Sequence, residues 1–158
     1  MMGTASLALR RYDLARKSYE TAIALDPDYV LALVNLGVTL SFMGHFNKAI
    51  THYQAGLKID PNDINSINAM GNALQFKGEY DAAIESYSKA IALAPTCAEA
   101  HNNLGNASEN QGNLQAAVKS YTQALVYQPE NEATQNNLIR ACQQLGVTDS
   151  AKDRTDRP

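Results

Sequence analysis

A chain of 158 residues with a formal net charge of −3 and no dominant basic stretch lacks the concentrated Lys/Arg footprint that nucleic acid requires. Arg10, Arg11, Arg16 and Lys17 come nearest to one, but Asp13 and Glu20 interrupt them, as on a solvated helix face. Hydrophobic residues at 45% point to a globular chain, and no apolar run approaches the ~20 residues of a membrane span, so membrane insertion is not expected.

The sequence repeats itself. Pro27, Pro61, Pro95 and Pro129 recur at an interval of 34 residues, and Gly3, Gly37, Gly71 and Gly105 keep the same period. So do Gly44, Gly78 and Gly112; Ala15, Ala49, Ala83 and Ala117; and Tyr19, Tyr53, Tyr87 and Tyr121. Each proline follows a helix it cannot continue and so separates one helical hairpin from the next. Asp28, Asn62, Asp63, Thr96 and Asn131 follow the prolines and suit the N-cap of the next helix. Gly44, Gly78 and Gly112 fall at the turn inside a hairpin, where a positive φ is expected. Gly37, Gly71 and Gly105 lie inside helices and let paired helices approach, with the tyrosines and Leu36, Met70 and Leu104 as large fillers.

In chain order, residues 1–29 read as a partial repeat with a shortened first helix and a complete second one. Full repeats follow at 30–63, 64–97 and 98–131. A single helix over 132–145 closes the array, with Gln135, Gln143 and Gln144 giving it a polar outer face. Residues 146–158 read as a disordered tail. Because Met1–Gly3 falls in mid-repeat, the array either begins truncated or is part of a longer protein.

These columns resemble the tetratricopeptide repeat, over about residues 1–145. The resemblance implies an all-α fold, a right-handed superhelical solenoid of antiparallel hairpins. Two departures are visible. The family's early large residue is Leu33, Ile67, His101 and Gln135 here, which suggests looser packing toward the C-terminal end; and Gly56 stands where other units have Ala22, Ala90 and Ala124.

In that family the first helix of each unit lines a concave groove that takes a peptide. The groove offsets hold Val34, Asn35, Val38 and Phe42 in the first full repeat and Asn68, Asn72 and Phe76 in the second. They hold Asn102, Asn103 and Asn106 in the third, and Asn136, Asn137 and Arg140 in the closing helix. Asparagine costs about 0.5 kcal/mol relative to alanine in a helix, so its recurrence needs a reason. Either the amides grip the backbone of an extended peptide, with Val34, Val38, Phe42 and Phe76 as an apolar anchor, or they are solvated or bond to the neighbouring repeat. The ladder is similar to the repeat arm of O-linked N-acetylglucosamine transferase, with Ala69 breaking one rung and no transferase domain present. Family members that clamp a terminal carboxylate use Lys and Arg with Asn. Asn72 and Asn103 match the amide positions, but Asn68, Ala133 and Asn137 replace the cations, so no such clamp is expected.

No catalytic constellation, metal site or cofactor motif is present; Cys97 and His101 share a helical face but lack further ligands. Two cysteines without C-x-x-C spacing, and no leader-like N-terminus, suggest free thiols and a cytoplasmic location. The expected function is a non-enzymatic interaction module binding a protein or extended peptide. The alternatives are a structural subunit docked through its convex face or ends, with self-association through those ends, and the substrate-recognition arm of a larger enzyme.

Overall fold

The computed structural model describes residues 2–146, with side chains from Arg10 onward. Met1 and the tail beyond Gly146, expected to be disordered, lie outside the described residues. Eight helices and no strands make up the described chain: α1 (Met2–Leu25), α2 (Val30–Phe42), α3 (Phe46–Ile59), α4 (Ile64–Phe76), α5 (Tyr80–Leu93), α6 (Ala98–Asn110), α7 (Leu114–Tyr127) and α8 (Glu132–Leu145). Among the described residues, no helix is long and apolar enough to cross a membrane.

Each helix packs on the next, and α2, α4, α6 and α8 also touch one another in succession, whereas α1, α3, α5 and α7 do not. Closer spacing on one side bends the stack toward it. The fold is therefore a solenoid of antiparallel hairpins whose concave face is lined by α2, α4, α6 and α8.

Inside each hairpin the chain turns on a glycine with positive φ: Gly44 (77°), Gly78 (82°) and Gly112 (88°). The same column holds Arg10 in the first unit, and there the turn is absent. The expected shortened first helix and complete second helix are instead one continuous helix, α1. A side chain at Arg10 disfavours the left-handed conformation that would break the helix.

Capping is selective. Asp63 and Asn131 accept the N–H of Ser66 and Thr134, and Asn113 caps α7 through the N–H of Ala116. The N-caps of α2 and α6 are Tyr29 and Cys97, which make no side-chain cap bond, so Asp28 and Thr96 do not cap as expected. Asn62 precedes the N-cap; its backbone N–H donates to Asp60.

Tyr53, Tyr87 and Tyr121 are fully buried, each against the glycine of its partner helix. A Cβ on Gly37, Gly71 or Gly105 would lie only 2.5, 2.6 or 2.5 Å from a ring carbon of that tyrosine. Gly56 is different. A Cβ there would meet Val34 at 3.6 Å and Ser66 and Val30 at 3.8 Å, all ordinary contacts.

The two glycine classes therefore respond oppositely to alanine. Gly71→Ala overpacks a ring that cannot move away and should destabilise by about 1–3 kcal/mol. Gly56→Ala relieves a helix-interior glycine without a clash and should stabilise by about 0.5–1 kcal/mol. Urea denaturation of the two variants decides it; a loss in both would show that Gly56 also serves close packing.

Candidate functional site: the concave groove

The concave face divides into an apolar half and an amide half. In the apolar half a cavity of about 300 Å³ opens between the first two hairpins, lined by Val38, Ser41, Phe42, Phe46, Tyr53, Ala69, Asn72, Ala73 and Phe76. Phe42 and Phe76 are 69% and 74% exposed at its rim, which is unusual for rings of this size. Each is held flat against an aromatic from the preceding unit: Phe42 stacks on Tyr12 and Phe76 on Phe46, both at 5.5 Å between ring centres. Phe46 and Tyr53 belong to a second helix and were missed by reasoning that assigned the groove to first helices. The signal for them was the aromatic pair Tyr12 and Phe46, one period apart.

In the amide half, the buried tyrosines reach through to the groove. The Tyr87 hydroxyl donates to Asn72 Oδ1 at 2.6 Å and lies 3.2 Å from Gln75 Oε1. The Tyr121 hydroxyl lies 2.7 Å from both Asn106 Oδ1 and Glu109 Oε2. Bonds also cross between units. Asn103 Nδ2 lies 3.3 Å from Asn72 Oδ1, and Asn137 Nδ2 lies 3.2 Å from both Asn102 Oδ1 and Asn106 Oδ1. Thr134 Oγ1 sits 3.1 Å from Asn102 Oδ1. Arg140 grips Glu109 through two bonds of 2.8 and 2.9 Å.

Burial pushes the Tyr87 and Tyr121 hydroxyls well above the ordinary phenol range. The Arg140 hydrogen bond, ahead of the bond from Tyr121, holds the Glu109 carboxyl below its usual range, so it is ionised at neutral pH.

The expected site residues separate on these contacts. Val38, Phe42, Asn72 and Phe76 converge on the apolar cavity, while Asn102, Asn103, Asn106, Asn137 and Arg140 join the inter-unit network. Asn35 is half-buried on α2 and Asn136 is exposed on α8. Val34 and Asn68 are corrected: at 8% and 7% exposure they belong to the core, not the groove surface. Val34 packs within the cluster of Leu36, Leu40 and Tyr53 and faces Gly56 of α3.

His101 and Gln135 are tied down by hydrogen bonds at 2.9 and 2.6 Å to the carbonyls of Pro95 and Pro129, and His101 also tilts against Tyr127. Their polarity joins each helix to the loop before it. Among the described residues no three His, Cys, Asp or Glu side chains gather as a metal site.

Family models described as "Tetratricopeptide repeat" match residues 6–72 and 98–131, and one described as "TPR repeat" matches residues 76–112. No curated protein sequence matches the chain. Two crystal structures of MamA are similar at 25% identity, with TM-scores of 0.82 and 0.80; they cover 97% and 96% of this chain and 90% and 82% of theirs. The first TPR of Spaghetti (RPAP3), bound to the HSP90 peptide SRMEEVD, is 25% identical with a TM-score of 0.71, covering 74% of this chain and 93% of its own.

Asn68 Oδ1 is buried without a partner. The equivalent Asn102 Oδ1 meets the Thr134 hydroxyl, whose column holds Ala100 opposite Asn68. That column already accepts Ser66 and Thr134. Ala100→Ser should therefore supply the missing donor and raise stability by about 1 kcal/mol, read by urea denaturation; no gain would mean that the hydroxyl bonds elsewhere.

The Glu109–Arg140 pair carries a pH dependence. A carboxylate depressed by folding contributes stability above its ordinary range and loses it as the pH falls through the depressed value. The Tm difference between wild type and Arg140→Gln should therefore be largest near neutrality and shrink on acidification. A difference independent of pH would show that Arg140 acts through packing alone.

Proposed function

Since the chain carries tetratricopeptide repeats, we propose that it is a protein-interaction module that seats an extended peptide segment of a partner in its concave groove. The observation that carries this reading is the apolar cavity between the first two hairpins, open to solvent and rimmed by exposed Phe42 and Phe76. Exposed rings clustered around a concave opening mark a surface awaiting a partner. An apolar side chain enters this cavity, and the remainder of the segment runs along the amide rungs toward α8. The rungs resemble the repeat arm of O-linked N-acetylglucosamine transferase, except that here Asn72, Asn102 and Asn106 also bond to neighbouring units. The likeness to a TPR bound to an HSP90 peptide supports a peptide ligand.

A free carboxylate terminus is not what the groove selects. Arg140 is the one Lys or Arg on α2, α4, α6 and α8, and Glu109 already neutralises it. The module works without catalysis, in a reducing, cytoplasmic setting consistent with free Cys97 and Cys142.

The test is capture of a partner from a lysate by wild type beside a Phe42→Ser, Phe76→Ser double variant. Both rings are mostly exposed, so the variant should keep its helicity and lose most of its binding, with partner retention reduced by about tenfold or more, on the order of a binding hot spot. Equal retention by both would remove the cavity as the anchor.

A second reading has its own observation. On α1 the column residues Ala15 and Tyr19 are only half-buried, whereas Ala49, Ala83, Ala117 and the other three tyrosines are fully buried, and Leu14 is exposed. This face is less covered than its counterparts, which favours docking of a larger assembly against α1.

A further inference from the structure

The hydrogen-bond chain across the amide half contains a conflict that only one residue can resolve. A tyrosine hydroxyl carries one proton, yet Tyr121 faces two oxygens, Asn106 Oδ1 and Glu109 Oε2, each at 2.7 Å. At the corresponding place on α4 the second acceptor is Gln75, whose amide can turn over and offer an N–H to Tyr87. Glu109 has no such freedom. Its carboxylate is held by Arg140 and, ionised, only accepts.

Two oxygens at hydrogen-bond distance with one proton between them leave an acceptor facing lone pairs. The charged acceptor takes the proton, because a bond to an ionised group is the stronger. Asn106 then relieves the conflict by a half-turn of its amide, which exchanges donor for acceptor within the same space.

The half-turn propagates. Asn106 now donates where Asn137 had donated to it, so Asn137 turns as well and accepts. Asn137 also faced Asn102 at 3.2 Å, so Asn102 turns and donates, with the Thr134 hydroxyl accepting in its place. Asn102 had also donated to Asn103 Oδ1 at 3.5 Å, so Asn103 and then Asn72 turn too, and Tyr87 passes its proton to Gln75. These contacts survive with their sense reversed, and the oxygen–oxygen conflict at Tyr121 is gone.

We propose that Glu109 sets the direction of this amide chain, so that Asn106 presents its carbonyl oxygen and Asn137 its N–H groups to the groove. Glu109 is thus a specificity-determining residue that need not touch the ligand. The ligand class is a peptide main chain: an acceptor on α6 beside a donor on α8 fits one peptide unit in one direction, its N–H toward Asn106 and its carbonyl toward Asn137. That consequence rests on the peptide-groove reading. The direction of the chain does not.

Hydrogen exchange of the side-chain amides, followed by NMR on the free protein, tests the direction without any ligand. In the proposed sense the Asn106 NH₂ is bonded to Tyr121 and Asn137, while the Asn137 NH₂ is open to water. Asn106 should therefore exchange roughly tenfold more slowly than Asn137 and show nuclear Overhauser effects to the Tyr121 ring. Slower exchange at Asn137 would overturn the proposal. Glu109→Gln frees the constraint and should bring the two rates together; an unchanged ratio in a variant with a native backbone spectrum would overturn the role of Glu109. Arg140→Gln, which keeps the carboxylate, should preserve the wild-type order, and a reversal there would assign the effect to Arg140 instead.

Discussion

A tyrosine ring lying on a bare glycine backbone sets the geometry from which the rest of this solenoid follows. Gly37, Gly71 and Gly105 have no side chain because Tyr53, Tyr87 and Tyr121 occupy the place a Cβ would take. The contact fixes how closely the two helices of a hairpin approach. It also fixes how far the ring reaches across the first helix. For Tyr87 and Tyr121 that reach ends at Asn72 and Asn106, so the residues that hold the core also position the groove amides. Core and site are one construction, and a change at the glycine column is felt on the concave face.

The glycine, tyrosine, alanine and proline columns were legible because each has a strict steric reason that leaves little choice of residue. The hairpin turns were legible for the same reason, and the failure of the first one was visible in Arg10, though its consequence needed the structure. Without a glycine the chain had no inexpensive way out of the helix, and α1 ran straight through. Burial of Val34 and Asn68 was not legible. A 34-residue period says which residues are equivalent but not which of them is buried. Phe46 was hidden for a related reason: its contact is with the next unit, and a repeat read one unit at a time shows only the contacts inside it.

Between units, residues in contact change together. Asn72 meets Asn103 and Asn106 meets Asn137, whereas the same two columns in the first pair of units hold Val38 and Ala69. A buried amide facing valine would lose its partner, and a valine facing an amide would strand it, so mixed rungs are disfavoured from both sides. The boundary between the apolar and amide halves therefore falls between rungs. Asn72, which lines the cavity and also joins the amide network, stands at that boundary. A segment crossing it passes from a surface that rewards apolar volume to one that rewards correctly placed polar atoms.

The same glycine–tyrosine rule makes α1 and α8 unequal. On α8 the glycine column is filled by Ile139, 55% exposed. A tyrosine ring cannot lie where that side chain stands, so α8 cannot receive a second helix built like α3, α5 or α7. On α1 the alanine and tyrosine of the column are retained at Ala15 and Tyr19, half-buried and of the right shape to receive a first helix. Head-to-tail growth would require α8 of one copy to pair with α1 of another, placing Ile139 against Tyr19 where the interface has room for glycine alone. Hairpin-like pairing of α8 in one copy with α1 in another is thus opposed by sterics. An assembly that used the α1 face would have to bring to it a helix with a small residue at that position, which α8 does not offer.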